Sequence, residues 1–150
     1  MTRTSKRLNA ALFILMLGAT ALAQQDSAIY TVKDGLALSG YDGVAYFKDS
    51  KPTLGKPELS YQWMDATWLF STPENLAAFK ADPEAYAPQY GGYCAFGTSQ
   101  GHLVPGDPAA WKIVDSKLYL NYNKEVQGFW LQDIPGYVKK ADALYPTLHK

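Results

Sequence analysis

One cysteine, Cys94, serves a chain of 150 residues. A lone cysteine cannot close a disulfide within the chain, so the fold must rest on a packed apolar core with no covalent framework. The N-terminus sharpens the point, because it reads as an export signal. Arg3, Lys6 and Arg7 form a positive n-region, residues 8–23 hold an uncharged apolar stretch, and Ala21-Leu22-Ala23 fits a small-x-small cleavage site. The apolar run falls short of the roughly 20 residues a membrane span needs. The expectation is residues 1–23 as signal peptide, cleavage after Ala23, a single domain over 24–150, and a periplasmic or secreted product. An odd cysteine in an oxidising compartment is a partner for another molecule, a reactive thiol, or a small buried residue.

Removing the signal takes away three basic residues and no acidic ones. Residues 24–150 then carry 11 basic and 14 acidic side chains, a formal charge of −3. No basic stripe remains, which argues against nucleic acid as a partner. No later segment reads as a membrane span.

Hydrophobic periodicity and punctuation predict an α+β domain of two β-hairpins and several short helices, with a helical segment at the C-terminus. A first short strand is expected at Ile29–Val32. Ser39–Gly43 is a turn, and Asp42 is placed to cap a helical turn through Val44–Phe47. Residues 48–57 read as a loop. Leu59–Trp63 and Thr67–Ser71 form the first hairpin around Met64-Asp65-Ala66. Ser71 or Thr72 caps a helix with Leu76, Ala77 and Phe79 on its apolar face, and Asp82-Pro83 opens another short one. Gly91-Gly92 precede a short helix reaching Ser99. Val104–Pro108 reads as a link. Trp111–Val114 and Lys117–Asn121 make the second hairpin around Asp115-Ser116. Asn123 caps a helix over residues 124–132. Asp133 caps the last helix, with Ile134, Tyr137, Val138, Ala141 and Leu144 on one face.

Few side chains after residue 23 suit a soft metal: Cys94, His102, Met64 and, beside the C-terminus, His149. A closed zinc site wants four ligands, often in close pairs, and no such pair exists here. Thiolate, imidazole and thioether suit copper, Cu(I) above all, so Cys94, His102 and Met64 are the metal candidates. Each has a plainer reading: Cys94 as a buried small residue, His102 as a loop histidine, Met64 as an exposed turn residue. A Cys94–His102 nucleophilic pair oriented by Asp107 or Asn121 would give a thiol hydrolase or transferase. No serine elbow, phosphate loop or His-Glu-x-x-His stands beside it.

All 11 Tyr, all four Trp and five of the six Phe follow the signal. Such density is core, or a pocket lined by tyrosine hydroxyls near Cys94. Tyr41, Asp42, Tyr90, Tyr93 and Asn121 are the ligand-binding candidates on that second reading. Turn and capping roles also account for Tyr41, Asp42 and Asn121.

Four ordered blocks carry a resemblance. They are Gly40-Tyr41-Asp42-Gly43-Val44-Ala45-Tyr46-Phe47; Thr67-Trp68-Leu69-Phe70-Ser71 with Asn75–Phe79 and Asp82-Pro83-Glu84-Ala85-Tyr86; Tyr90-Gly91-Gly92-Tyr93-Cys94-Ala95; and Gly106-Asp107-Pro108 through Trp111–Asp115 to Leu118–Asn123. Over roughly residues 30–148 the chain resembles the exported, single-domain YHS-domain proteins of bacteria. The resemblance implies a small metal-associated fold, of the kind found in copper ATPases, where cysteines suit a soft metal. This chain has no cysteine in its first block or after Phe70-Ser71, so that ligand set does not carry over by identity.

The expectation is a small exported binding or accessory protein, more a binder than an enzyme. Soft-metal handling through Cys94 and His102 leads, with copper as the candidate metal. A small-molecule or thiol-redox module with an aromatic pocket around Cys94 is the alternative. Partners are a metal ion, a small molecule or a periplasmic protein.

Overall fold

Three two-residue turns set the strands. Asp34-Gly35, Met64-Asp65 and Asp115-Ser116 all have positive φ at both positions, as the type I′ turn of a tight hairpin demands. The coordinates are a computed structural model describing residues 30–148. The expected signal peptide and Gln24 start, with Ile29 and His149, lie outside the described residues.

The Asp34-Gly35 turn joins β1 (Thr31–Lys33) to β2 (Leu36–Ala37), a two-residue strand the sequence reading omitted. Met64-Asp65 joins β3 (Lys56–Trp63) to β4 (Ala66–Phe70) with Trp63 opposite Ala66. β2 also pairs in parallel with β4, Leu36 opposite Thr67, giving one four-stranded sheet in the order β1-β2-β4-β3. β3 begins three residues before Leu59, because Lys56 pairs with Phe70 across an irregularity in the ladder. β5 (Asp107–Val114) and β6 (Lys117–Asn121) form a separate two-stranded sheet. β5 takes in Asp107-Pro108, read from sequence as a link, because Asp107 pairs with Asn121.

The helices start where side-chain caps satisfy free N–H groups. Asp42 caps α1 (Gly43–Lys48), Thr72 caps α2 (Pro73–Ala81), Asp82 caps α3 (Pro83–Tyr86) and Asn123 caps α5 (Lys124–Trp130). Cys94 occupies the same position for α4 (Ala95–Ser99). α6 runs Ile134–Leu148, with the Asp133 carboxylate accepting from Gly136 N at 3.0 Å.

β4 alternates cleanly: Ala66, Trp68 and Phe70 are buried, Thr67 and Leu69 half-buried. Trp68 packs on Phe79 of α2 at 4.7 Å between ring centroids. Two corrections concern helix faces. Ala77 is exposed while Asn75 is buried, and Leu144 of α6 is exposed. α2 turns toward the sheet so that Asn75 reaches Asp42, which swings Ala77 out to water.

The second hairpin separates two cores. Leu118 and Leu120 of β6 join Trp68, Phe70 and Phe79 in the first. Tyr119, between them, joins Tyr90, Trp130 and Ala141 in the second, against α4, α5 and α6. Successive strand residues point to opposite faces, so one five-residue strand serves both cores. Burial of each large side chain contributes about 1.5–3 kcal/mol. Among the described residues, no helix is long and apolar enough to cross a membrane.

Candidate functional site

Two hollows bring sequence-predicted site residues together, one beside Cys94 and one beside Tyr90. The Cys94 segment is stitched to β6. Cys94 forms a parallel bridge with Leu120, and its N–H donates to Val104 O at 2.9 Å. Its carbonyl accepts from both Thr98 N and Thr98 Oγ1 at 2.8 and 2.9 Å. The thiol is 1 % exposed. Its sulfur accepts from Gly97 N at 3.3 Å and the S–H donates to Asn121 Oδ1 at 3.7 Å.

Asn121 is fully buried behind this thiol. Its Oδ1 also accepts from Phe96 N at 3.2 Å, and its Nδ2 has no hydrogen-bond partner among the described residues. On the solvent side lies an apolar hollow of about 310 Å³, lined by Cys94, Phe96, His102, Val104, Tyr122 and Val126 among others. Cys94 and His102 therefore share one hollow. His102 is exposed and is anchored through its backbone, N–H to Gly97 O at 2.9 Å.

Met64 does not join them. It lines a second, larger hollow of about 570 Å³. Its turn belongs to the four-stranded sheet, whereas Cys94 and His102 belong to the α4 segment held on β6. Among the described residues, no group of three or more His, Cys, Asp or Glu is arranged to hold a metal. Of the three copper candidates, Cys94 and His102 line one hollow and Met64 the other.

The second hollow is a cleft between the β3–β4 turn, α3, the segment after it, and α6. Tyr30, Trp63, Tyr90 and Tyr145 supply its aromatic walls. Tyr30 and Trp63 rings lie 5.3 Å apart, Tyr90 and Tyr145 rings 5.5 Å. Glu84, Asp142 and Lys117 supply its charges.

Tyr90 holds left-handed backbone angles, φ 55° and ψ 34°, inside a 3-10 turn over Gln89–Gly92. A bulky residue in that region costs on the order of 1–3 kcal/mol and persists only when its surroundings over-determine it. Here the surroundings are the Tyr119 and Tyr145 rings and Asp142, whose carboxylate accepts the Tyr90 hydroxyl at 2.8 Å. Gly91 and Gly92 continue with positive φ, which glycine adopts without strain.

Burial, the hydrogen bond to Asp142 and the Asp142 charge push the Tyr90 phenol far above its ordinary value. Burial and then the Glu84 charge raise Tyr30. Burial raises Tyr145 to about 12, helped by Tyr30 and Tyr93. All three stay neutral hydroxyls at physiological pH.

The other ligand candidates lie elsewhere. Tyr41 is half-buried in a bridge to Leu54, and Tyr93 in a bridge to Pro105. Asp42 is fully buried and accepts from Val44 N, Ala45 N, Ser71 N, Ser71 Oγ and Asn75 Nδ2. With five donors on its two oxygens, Asp42 is a structural junction of α1, β4 and α2. Tyr41, Asp42, Tyr93 and Asn121 line neither hollow.

Sequence reading missed Tyr30, Trp63, Glu84, Lys117, Asp142 and Tyr145 as a group. No local spacing could have found them, since five separate segments contribute them. The one usable signal was Tyr145 following Ala141 by four positions on α6, a spacing that puts both on one helix face.

Comparison with family models, curated proteins and solved structures finds no match to this chain.

Proposed function

We propose that this chain is an exported binding domain of the YHS type, acting as an accessory protein, with the Tyr90 cleft as its ligand seat. The observation that carries this reading is Tyr90 itself. A strained aromatic, held by a carboxylate 52 positions away, lines the larger of the two hollows. Strain retained by an aromatic at a concave surface supports a binding role for it. The export part of the reading rests on the signal pattern in residues 1–23. Mass spectrometry of the product from the native host should find Gln24 as the first residue.

Fragment screening by NMR on the purified protein tests the binding part. Shift changes should gather on Trp63, Tyr90 and Tyr145. A screen whose hits leave all three unmoved overturns the assignment.

One observation favours a second reading, soft-metal handling: Cys94 and His102 line the same hollow. Thiolate and imidazole suit Cu(I), and two donors fit a low-coordinate copper site but not a four-ligand zinc site. Binding would release the S–H proton now directed at Asn121. Cu(I) titration should then show one equivalent bound, lost in Cys94→Ala and weakened in His102→Ala. Binding that survives Cys94→Ala rejects this reading.

A further inference from the structure

The cleft beside Tyr90 combines two features that separately mean little. Its walls are aromatic, with Trp63 packed on Tyr30 and Tyr90 packed on Tyr145. Its charged groups are two carboxylates, Glu84 and Asp142, against one ammonium, Lys117. No ion pair within 4 Å joins Lys117 to either carboxylate among the described residues. Both carboxylates are exposed, so they face the cleft without being buried.

Their negative field reaches into the walls. After burial, the Glu84 charge is what raises the Tyr30 phenol. Asp142 acts on Tyr90 through its hydrogen bond and its charge, and on Tyr119 through its charge, in each case after burial. A field that opposes the formation of phenolate favours a cation in the same space. The ring faces act in the same sense, because a cation within about 6 Å of an aromatic centroid is attracted by its quadrupole.

We propose that the cleft binds a small organic cation, an ammonium group carried on an apolar or aromatic body. This rests on the reading of the cleft as the ligand seat and names the chemical class it takes. The ammonium sits between Glu84 and Asp142 with its body on Trp63 and Tyr30. Tyr90 is the positioning residue that fixes the Asp142 carboxylate. A volume of about 570 Å³ falls in the range of small-molecule pockets.

The test uses four probes of one shape and different charge: benzylamine, benzyltrimethylammonium, benzyl alcohol and benzoate. Each is titrated into the purified full chain at neutral pH, following the Trp63 indole resonance. The two cations should bind about tenfold more tightly than benzyl alcohol, and benzoate more weakly than both. Glu84→Gln alters an exposed residue and should weaken both cations several-fold while leaving benzyl alcohol unchanged. Asp142→Asn keeps an acceptor for Tyr90 and should do the same. If benzyl alcohol or benzoate binds Trp63 as well as the cations do, the cationic class is wrong and the cleft remains a binding site. If no probe moves the Trp63, Tyr90 or Tyr145 resonances, both the class and the ligand seat are overturned.

Discussion

Asp42 and Ser71 lie 29 positions apart in the chain and are joined twice, Ser71 N and Ser71 Oγ donating to one carboxylate oxygen at 2.9 and 2.7 Å. The same oxygen accepts from Asn75 Nδ2 at 2.8 Å, and the other caps α1. Asp42→Asn keeps the shape but replaces one acceptor with a donor facing donors. Leaving such buried groups unmatched costs about 2–4 kcal/mol. Ser71→Ala removes one of five partners and costs about 1 kcal/mol. Urea unfolding of the two variants measures both. Equal losses would contradict this ranking.

Gly106 sits where no side chain fits. A Cβ there would lie 2.5 Å from Gly92 O and 2.5 Å from Leu120 Cβ. Gly106→Ala must push the 105–107 segment off β6, with an overpacking cost of about 1–3 kcal/mol. Gly128, in α5, has open space around its Cβ position. Gly128→Ala should stabilise by up to about 1 kcal/mol through helix propensity. Thermal melts of the pair should move in opposite directions.

Ser116 holds φ 60° in the turn between Val114 and Lys117. Left-handed geometry costs an ordinary residue roughly 1–2 kcal/mol, against a glycine chain-entropy penalty of roughly 0.5–1 kcal/mol. Ser116→Gly should therefore stabilise by about 0.5 kcal/mol, read as a higher urea midpoint at unchanged slope. A lower midpoint would show that the Ser116 side chain contributes more than its backbone strain.

Alkaline pH should unfold this domain. Tyr30, Tyr46, Tyr90, Tyr119 and Tyr145 all have phenols raised above their ordinary value of 10.0, chiefly by burial. A raised folded-state value means that the folded chain holds these protons more tightly than the unfolded chain does. The resulting stability is complete below pH 10 and falls as pH climbs through about 12, where Tyr145 titrates in the fold. Tyrosinate absorbance should rise in a cooperative step that coincides with loss of circular dichroism. A smooth titration with the fold intact contradicts this. Tyr90→Phe removes one such proton and should soften the alkaline loss.

The local elements could be read before the fold was known, because their causes are local. Asp42, Thr72, Asp82 and Asn123 cap helices that begin where those side chains can reach the next free N–H groups. The two longer hairpins were legible from β-prone runs and short connections. The two-residue strand β2 was not, since its parallel pairing of Leu36 with Thr67 is a contact across 31 positions with no periodicity of its own. Nor did composition say which aromatics were core and which were wall. Trp68 is sealed in the first core at 1 % exposure, while Trp63, five residues earlier, lines the cleft.

The two hollows depend on long-range packing. Cys94 and His102 line one hollow because the turn after α4 returns to the helix, His102 N donating to Gly97 O. Met64 parts from them because its turn belongs to the other sheet. Tyr90 gains its hydroxyl partner only when α6 brings Asp142 to it. Caps and turns arise from contacts within a few residues, where chain geometry leaves few choices. A cleft arises from side chains of distant segments, and their convergence is set by how two cores pack against the opposite faces of one strand.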